Sequence, residues 1–143
     1  MELSSIVTQA LSPAVILDKF PKTILPIFIE VLECGGNELS AIINCASLAL
    51  ADACVDMYDL VTASSAVVTS SRMWLDPSLE EEKKADAVCT VAYMSSHDHV
   101  THVMQSGKIE YTEVQEAIEL CTTACRGPLL TMMRDCLTKE TTA

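Results

Sequence analysis

A long apolar segment that follows a pair of glycines constrains the fold most strongly. Residues 37–53 carry few polar side chains. Their apolar positions recur every three or four residues, at Leu39, Ile42, Ile43, Ala46, Leu50 and Ala53. This spacing predicts an α-helix with an apolar face. Because Ala41, Leu48 and Ala49 fill most of its other faces, the helix must be covered on more than one side.

The residues on either side of this helix favour β-strands. Residues 24–33 are apolar and rich in β-branched side chains, and alternate residues share one face, namely Leu25, Ile27, Ile29 and Val31. Pro26 is expected at the start or on an edge of that strand. Gly35-Gly36 predicts a turn, after which Asn37 is expected to cap the helix through its side chain. With a second strand over residues 60–69, the pattern predicts a β-α-β unit.

The rest of the chain predicts helices around a hairpin. Residues 3–11 repeat at helical spacing until Ser12-Pro13, and residues 69–76 are typical of a loop. Asp76-Pro77 predicts the start of a short helix over residues 78–84. Residues 88–94 and 100–104 predict an antiparallel hairpin.

The last helix is predicted to begin at a capping box, Thr112 to Gln115, and to kink at residues 124–128, where Gly127-Pro128 interrupts it. Its apolar residues predict a buried stripe formed by Val114, Ile118, Cys121, Cys125, Leu129, Met132 and Cys136. The 143 residues are therefore interpreted as one α+β domain.

The charge balance argues against tight binding of nucleic acid by this chain alone. The chain carries 20 acidic and 9 basic residues, a net charge of −11, and among the basic residues only Lys83 and Lys84 are adjacent. Binding to a phosphate backbone depends on clustered Lys and Arg. The acidic surface is interpreted as solubilising, or as a face for a basic partner.

The cysteine pattern and the hydropathy indicate a soluble intracellular protein. The seven cysteines form no Cys-x-x-Cys pair, and most fall on apolar faces, which favours reduced thiols in the nucleus or cytosol. Neither a signal peptide nor a membrane span is predicted.

Two stretches carry a resemblance to a known family. The segment LECGGNELSAIINCASLALADACVDMYDLV resembles the middle of the RNase PH fold, and WLDPSLEEEKKADAVCTVAYM extends the likeness downstream. Together they are most similar to a ring subunit of the eukaryotic RNA exosome. Within that ring, the likeness is greatest to the mRNA-transport-regulator type, exosome component 6.

The resemblance implies a fold, a role and partners. The fold would be an α+β domain of the RNase PH type, related to ribosomal protein S5 domain 2, with a mixed sheet of about four strands and packed helices. Residues 1–143 would be its C-terminal portion, truncated at the N-terminus, so an apolar surface is expected to need a partner. The role would be that of a non-catalytic structural subunit that supports 3′–5′ processing and degradation of ribosomal and messenger RNA.

The implied partners are other RNase PH-like subunits and cap subunits, with RNA reached only through the assembled ring. No membrane and no cofactor is implied. The implied location is the nucleus and nucleolus, and also the cytoplasm.

The same resemblance locates a degenerate catalytic region. Active relatives carry two aspartates just before the strand at Thr90, and these fall on Glu82 and Val88. Valine holds neither a proton nor a metal ion. Asp86 could take the second role only if the alignment shifts by two residues. Cys54 stands where the family usually carries a helix-terminating glycine, so the helix end is expected to be remodelled.

Two alternative functions stay open at this point. One is a phosphorolytic 3′–5′ exoribonuclease of the RNase PH type, which the acidic run around Glu82 and Asp86 would serve. The other is a small metal-binding module formed by His97, His99 and His102, whose spacing suits imidazole ligands on a strand. No cysteine or carboxylate completes a zinc set beside these histidines, so they are weak candidates.

Overall fold

A computed structural model describes residues 3–70 and 72–140 of the chain. The chain begins with helix α1 (Leu3–Leu11), and two short 3-10 turns follow it. Helix α2 (Glu38–Asp52) is the long apolar helix predicted from the sequence. Strands β1 (Val61–Thr69) and β2 (Arg72–Leu75) precede the short helix α3 (Leu79–Lys84).

The hairpin is formed by β3 (Ala87–Met94) and β4 (His99–Gly107), as predicted, and β4 extends three residues further than expected. Helices α4 (Tyr111–Ala124) and α5 (Leu130–Glu140) end the described chain, and a π-helical turn (Cys125–Leu129) joins them.

The four strands form one sheet in the order β2-β1-β3-β4, and each adjacent pair is antiparallel. The predicted α+β class and strand number are therefore confirmed. The predicted β-α-β unit is wrong, because residues 24–33 pair with no strand in the described part of the chain. The prediction of a mixed sheet is wrong as well, since all described strand pairs are antiparallel.

The sheet lies between two helical layers. Helices α1 and α2 cover one face, where they pack on Val61 and Ala63 of β1 and on Ala92 and Met94 of β3. Helix α4 covers the opposite face. Its buried side chains contact the other set of strand residues, Ala66, Val68, Cys89 and Val91. Alternation along β1 and β3 thus sends successive side chains into two separate cores.

Residues 24–33 belong to no helix or strand. No backbone group of residues 24–34 is hydrogen-bonded to another backbone group within residues 3–70 and 72–140. The predicted alternation is present, since Leu25, Ile27 and Ile29 face a groove beside α1. A strand also requires a neighbour, and none of the described strands lies beside this segment.

Three turn predictions were wrong in detail. The predicted loop over residues 69–76 contains the short strand β2, although Ser71 lies outside the described residues. Helix α3 is capped by Ser78, in a capping box with Glu81, rather than by Asp76. The capping box of α4 is formed by Glu110 and Glu113, two residues before the predicted one.

The C-terminus of α2 keeps a left-handed residue despite the absence of glycine. Cys54 has a φ of 54°. Its N–H bonds to the carbonyl of Ala51, and the N–H of Val55 bonds to the carbonyl of Leu50. This is the Schellman pattern that usually places glycine at the left-handed position. The expected remodelling of the helix end is therefore not observed.

The predicted interruption of the last helix is present as the π-helical turn around Pro128. Within the predicted buried stripe, Cys121 and Cys125 are buried, whereas Val114, Ile118 and Leu129 are partly buried. The prediction is wrong at the last two positions. Leu130 and Met133 are buried, whereas Met132 and Cys136 are exposed. A π turn contains one more residue than an α turn, so beyond it the buried positions fall one residue later in the sequence.

No helix within residues 3–70 and 72–140 is long and apolar enough to cross a membrane.

Candidate functional site

The acidic segment predicted as the catalytic remnant lies beside the N-terminus of α2. Gly36 packs directly on the backbone that leads into α3: a Cβ there would stand 2.5 Å from the backbone nitrogen of Leu79. The N–H of Leu79 also donates to the carbonyl of Gly35 at 2.7 Å. The glycine turn and the start of α3 are therefore joined by close backbone packing.

Glu82 is tied to this junction. Its Oε1 accepts a hydrogen bond of 2.9 Å from the backbone N–H of Asn37. Asn37 itself does not cap α2 through its side chain, contrary to prediction, because it has a left-handed backbone with φ of 58°. Its side chain bonds instead to Asp76 and to Ser40. Polar side chains around Asn37 thus connect α2 with the residues before α3.

Asp86 is hydrogen-bonded to a different loop, at the end of β1. Its Oδ2 accepts bonds from the N–H and the Oγ of Ser70, at 2.8 and 2.9 Å, and so it holds the end of β1. It borders an open cleft that Lys108, Glu110 and Glu113 also line. Each of the two carboxylates therefore stabilises a neighbouring loop, and each keeps a second oxygen that could accept a further bond.

Val88 lies within β3, between Val67 of β1 and Ser106 of β4, and is partly buried. Its position in the sheet is that of a packing residue. An isopropyl side chain there supplies no acid, base or metal ligand. The acidic region thus provides carboxylate acceptors at Glu82 and Asp86 and an inert side chain at Val88, where the resemblance places the second aspartate.

The three histidines do not form a ligand set. His97 lies in the exposed turn between β3 and β4 and makes an edge-to-face contact with Tyr58 at 6.3 Å between ring centroids. His99 is exposed at the start of β4, and His102 is partly buried further along that strand. Across residues 3–70 and 72–140, no three His, Cys, Asp or Glu side chains are grouped to hold a metal ion.

Sequence reasoning missed one polar cluster, at the end of the β3–β4 hairpin. The Tyr93 hydroxyl donates to Asp98, and Arg126 bonds both to Asp98 and, at 2.5 Å, to the Tyr93 oxygen. The guanidinium carbon also lies 5.6 Å from the centre of the Tyr93 ring. These residues are up to 33 positions apart in sequence, so no local spacing pattern could have grouped them.

This cluster shifts the acid–base behaviour of its members. The hydrogen bond from Tyr93, followed by the charge of Arg126, lowers the pKa of the Asp98 carboxyl. Burial, followed by the bond to Asp98, raises the pKa of the Tyr93 phenol. The carboxylate and the neutral phenol are thus the favoured forms. An ion pair of this kind, largely exposed to solvent, is typical of a structural contact.

Three cysteine thiols are buried between the sheet and α4. Burial raises the pKa of Cys121 to about 12 and that of Cys125 to about 11, and it also raises the pKa of Cys89. Cys125 donates a weak bond of 3.6 Å to the carbonyl of Thr62. A raised pKa keeps these thiols protonated, so they act as small packing groups rather than nucleophiles.

Comparison with family models identifies the class of protein to which this fold belongs. Residues 1–56 match domain 1 of the 3′ exoribonuclease family, and residues 59–124 match domain 2 of the same family. The two models together account for most of the chain. The chain therefore belongs to the 3′ exoribonuclease family, whose models carry the RNase PH name.

Curated relatives agree with this assignment. The chain is 39% identical over 142 residues to a protein of Arabidopsis thaliana named exosome complex component RRP41-like. It is 34% identical over 126 residues to the exosome component Rrp41 of Nitrosopumilus maritimus. These matches cover 99% and 88% of this chain but 55% and 52% of the relatives. The chain thus spans about half the length of the curated relatives that it matches.

Two solved structures share the fold. Rice Rrp46 superposes with a TM-score of 0.85 at 20% identity, over 92% of this chain and 62% of its own. An Archaeoglobus fulgidus exosome with RNA bound to its active site gives a TM-score of 0.65 at 19% identity, over 87% of this chain and 57% of the other. These likenesses support the predicted RNase PH fold.

Proposed function

We propose that this chain belongs to a non-catalytic subunit of an RNA exosome ring, which supports 3′–5′ processing and degradation of RNA. The names of its relatives support the exosome role. One observation in the candidate site supports the absence of catalysis. Val88 stands where the resemblance places the second aspartate, and Glu82 and Asp86 each accept hydrogen bonds from a neighbouring loop.

Charge supports an indirect contact with RNA. With a net charge of −11, the chain repels a phosphate backbone unless other subunits supply basic residues. The proposed partners are therefore other RNase PH-like subunits of the ring, together with cap subunits. The ring, rather than this chain, would hold the RNA. The nucleus, the nucleolus and the cytoplasm are proposed as its locations, which imaging of a tagged chain in cells tests.

The type of ring subunit is part of the proposal. The identity of 39% over 142 residues with a protein named RRP41-like favours an Rrp41-type position. Assignment to the mRNA-transport-regulator type stays a prediction from the sequence. Co-expression with each candidate neighbour, followed by affinity capture, distinguishes the two, since each type would retain a different set of subunits.

A direct assay of RNA degradation tests the catalytic question. We expect that incubating the chain with end-labelled RNA and inorganic phosphate releases no nucleoside diphosphate. The same assay is then run on the chain co-purified with its ring partners. If that complex releases nucleoside diphosphates, we expect the release to persist when the chain carries Glu82→Gln or Asp86→Asn.

The alternative, a phosphorolytic 3′–5′ exoribonuclease, makes the opposite prediction. Release of nucleoside diphosphates that requires phosphate and is lost in Asp86→Asn would replace our proposal with it. Glu80→Gln serves as the matched control, because it removes a carboxylate of the same acidic run from an exposed position. Loss of activity in that control as well would indicate a general effect of charge.

A further inference from the structure

The outer edge of strand β1 lacks a partner strand along its first half. Strand β2 pairs with residues 66–69 of β1, and the N–H of Asp76 adds one more bond, to the carbonyl of Ser65 at 2.9 Å. On the same side, residues 61–64 have no neighbouring strand among the described residues. These residues are all buried, so their backbone groups on this side cannot bond to bulk water. Other groups of the protein have to satisfy them.

Helix α2 supplies the missing partners from its side chains. The Asn44 amide makes two bonds to one residue of the strand: its Oδ1 accepts from the N–H of Ala63 at 2.7 Å, and its Nδ2 donates to the carbonyl of Ala63 at 2.9 Å. About one turn further along the helix, the Ser47 Oγ accepts from the N–H of Val61 at 2.9 Å. A primary amide offers a donor and an acceptor side by side, as a residue of a neighbouring strand does. Asn44 therefore takes the place of a strand residue.

The two side chains reach alternate residues of β1. In an antiparallel ladder, successive residues direct their N–H and C=O groups to opposite edges. The bonded backbone groups of Val61 and Ala63 point to α2, so those of Thr62 and Ser64 point to β3, with which both residues pair. Neighbouring amides of one strand thus depend on different elements of the fold.

The spacing of these polar side chains favours one position of α2 along the sheet. A slide by one turn, about 5.4 Å, replaces each side chain by one about four positions away. In one direction Leu48 and Ala51 would face the strand, and neither side chain forms hydrogen bonds. In the other direction Ile43 would face the N–H of Val61. Either slide leaves a buried backbone group without a partner, which is costly.

We propose that Asn44 and Ser47 close the outer edge of β1 and fix the position at which α2 docks on the sheet. The same position sets the N-terminal end of the helix, because Asn37, about two turns before Asn44, donates its N–H to Glu82 at 2.9 Å. The docking of α2 and its bond to the acidic segment are therefore coupled through Asn44. This proposal does not depend on the exosome role.

Hydrogen exchange of single backbone amides, followed by NMR, tests the closure of the edge. The quantity compared with the unaltered chain is the ratio of the exchange rates of two neighbouring amides. A variant that only lowers global stability speeds exchange at both neighbours and keeps their ratio. In Asn44→Ala, the amide of Ala63 should exchange at least about tenfold faster relative to that of Ser64, because the acceptor of the Ala63 N–H is lost.

Ser47 permits a milder and independent test of the same edge. In Ser47→Ala, the amide of Val61 should exchange at least about tenfold faster relative to that of Thr62, because the accepting hydroxyl is lost. Ser40→Ala is the matched control: Ser40 is also buried in α2, but its hydroxyl bonds to Asn37 rather than to β1. This control should leave the ratio unchanged.

Exchange at Asn37 tests the position of α2. Its N–H lies about two turns from the altered side chain, and its acceptor Glu82 is intact in Asn44→Ala. If Asn44 fixes the position of the helix, the amide of Asn37 should exchange at least about threefold faster relative to that of Ser64 in this variant. Loss of a purely local bond at Ala63 would not change it.

Two results would overturn the proposal. One is an unchanged exchange ratio for Ala63 in Asn44→Ala, which would show that the amide does not protect the strand edge. The other is faster exchange at Ala63 without any change at Asn37, which would reduce Asn44 to a local bond with no influence on the position of α2. If Asn44→Ala fails to fold, Ser47→Ala decides both questions in the same way, at Val61 and at Asn37.

Discussion

Cys54 adopts a backbone conformation that is unfavourable for a residue with a side chain. It occupies the left-handed position of a Schellman motif, where a side chain with a Cβ is disfavoured. The side chain is exposed, so burial does not offset this cost. The bonds from Cys54 and Val55 back into α2, together with the packing of that helix, hold the conformation in place.

Replacing this residue by glycine should stabilise the protein. We expect Cys54→Gly to raise the free energy of unfolding by about 1 kcal/mol, because the strain at positive φ is removed. Cys45→Gly is the matched control: Cys45 is also exposed, but it lies inside α2, where glycine should cost about 0.5–1 kcal/mol. Urea unfolding of both variants measures whether the free energy of unfolding rises in Cys54→Gly and falls in Cys45→Gly. If the Cys54→Gly variant is no more stable than the unaltered chain, the inference that the backbone at Cys54 is strained is wrong.

Asp98 offers a second test at the scale of one side chain. The Tyr93 hydroxyl is the first cause of its lowered pKa and Arg126 the second. NMR titration of the carboxyl carbons should therefore show the pKa of Asp98 rising towards the ordinary aspartate value in Tyr93→Phe, and rising less in Arg126→Gln. The stability that ionised Asp98 contributes is present above the ordinary aspartate pKa and is lost as the pH falls through the lowered one.

The reverse order, with the larger rise in Arg126→Gln, would show that charge rather than the phenol bond controls this carboxyl.

At the scale of elements, the junction between α2 and α3 depends on one glycine. Gly36 has a φ of 101°, and a Cβ there would stand 2.5–2.8 Å from the backbone of residues 77–79. Gly35, its neighbour, has no atom within 4 Å of such a Cβ. The two glycines of the turn thus have different roles, although they are equivalent in the sequence pattern.

This difference predicts unequal effects of alanine. Gly36→Ala should destabilise the protein by about 2–4 kcal/mol, since it combines positive φ with a clash against backbone that cannot move freely. Gly35→Ala should change stability by less than about 0.5 kcal/mol. Denaturant unfolding measures both. Equal losses in the two variants would argue against the close packing of the turn on α3.

Helices and strands could be predicted where the local hydrophobic periodicity determines them. They could not be predicted where they depend on pairing with a distant strand. The periodicity of residues 38–52 and 87–94 is strong enough to identify α2 and β3 from sequence. The same reasoning wrongly predicted a strand over residues 24–33. Alternation of apolar residues shows which side chains share a face, but it does not show whether a partner strand lies beside them. The choice of Glu82 and Asp86 as the acidic region stays a prediction, and their bonds to Asn37 and Ser70 are non-local and could not be read from spacing.

At the scale of the whole molecule, the buried thiols link global stability to pH. Cys121 and Cys125 lie in the core between the sheet and α4, with pKa values raised to about 12 and about 11. Unfolding returns them to water, where a thiol titrates at about 8.5. The unfolded chain therefore loses protons first as the pH rises, and folding stability must fall above that value.

Urea unfolding between pH 8 and pH 11 should show this decline. We expect it to be shallower in Cys121→Ala, which removes one of the two strongly shifted thiols. Cys136→Ala, an exposed cysteine on α5, is the control and should keep the slope of the unaltered chain. If the three chains lost stability in parallel, the alkaline loss would have to come from other groups.

The π-helical turn has a consequence for chain length. Counted from Cys125, ordinary helical spacing would turn Leu129, Met132 and Cys136 towards the protein interior, but with the extra residue the buried side chains are Leu130 and Met133. Deleting Gly127 would place those same two side chains four and seven positions after Cys125. The C-terminal helix could therefore keep its present contacts in a protein one amino acid shorter, and that spare position is where a deletion should be tolerated best.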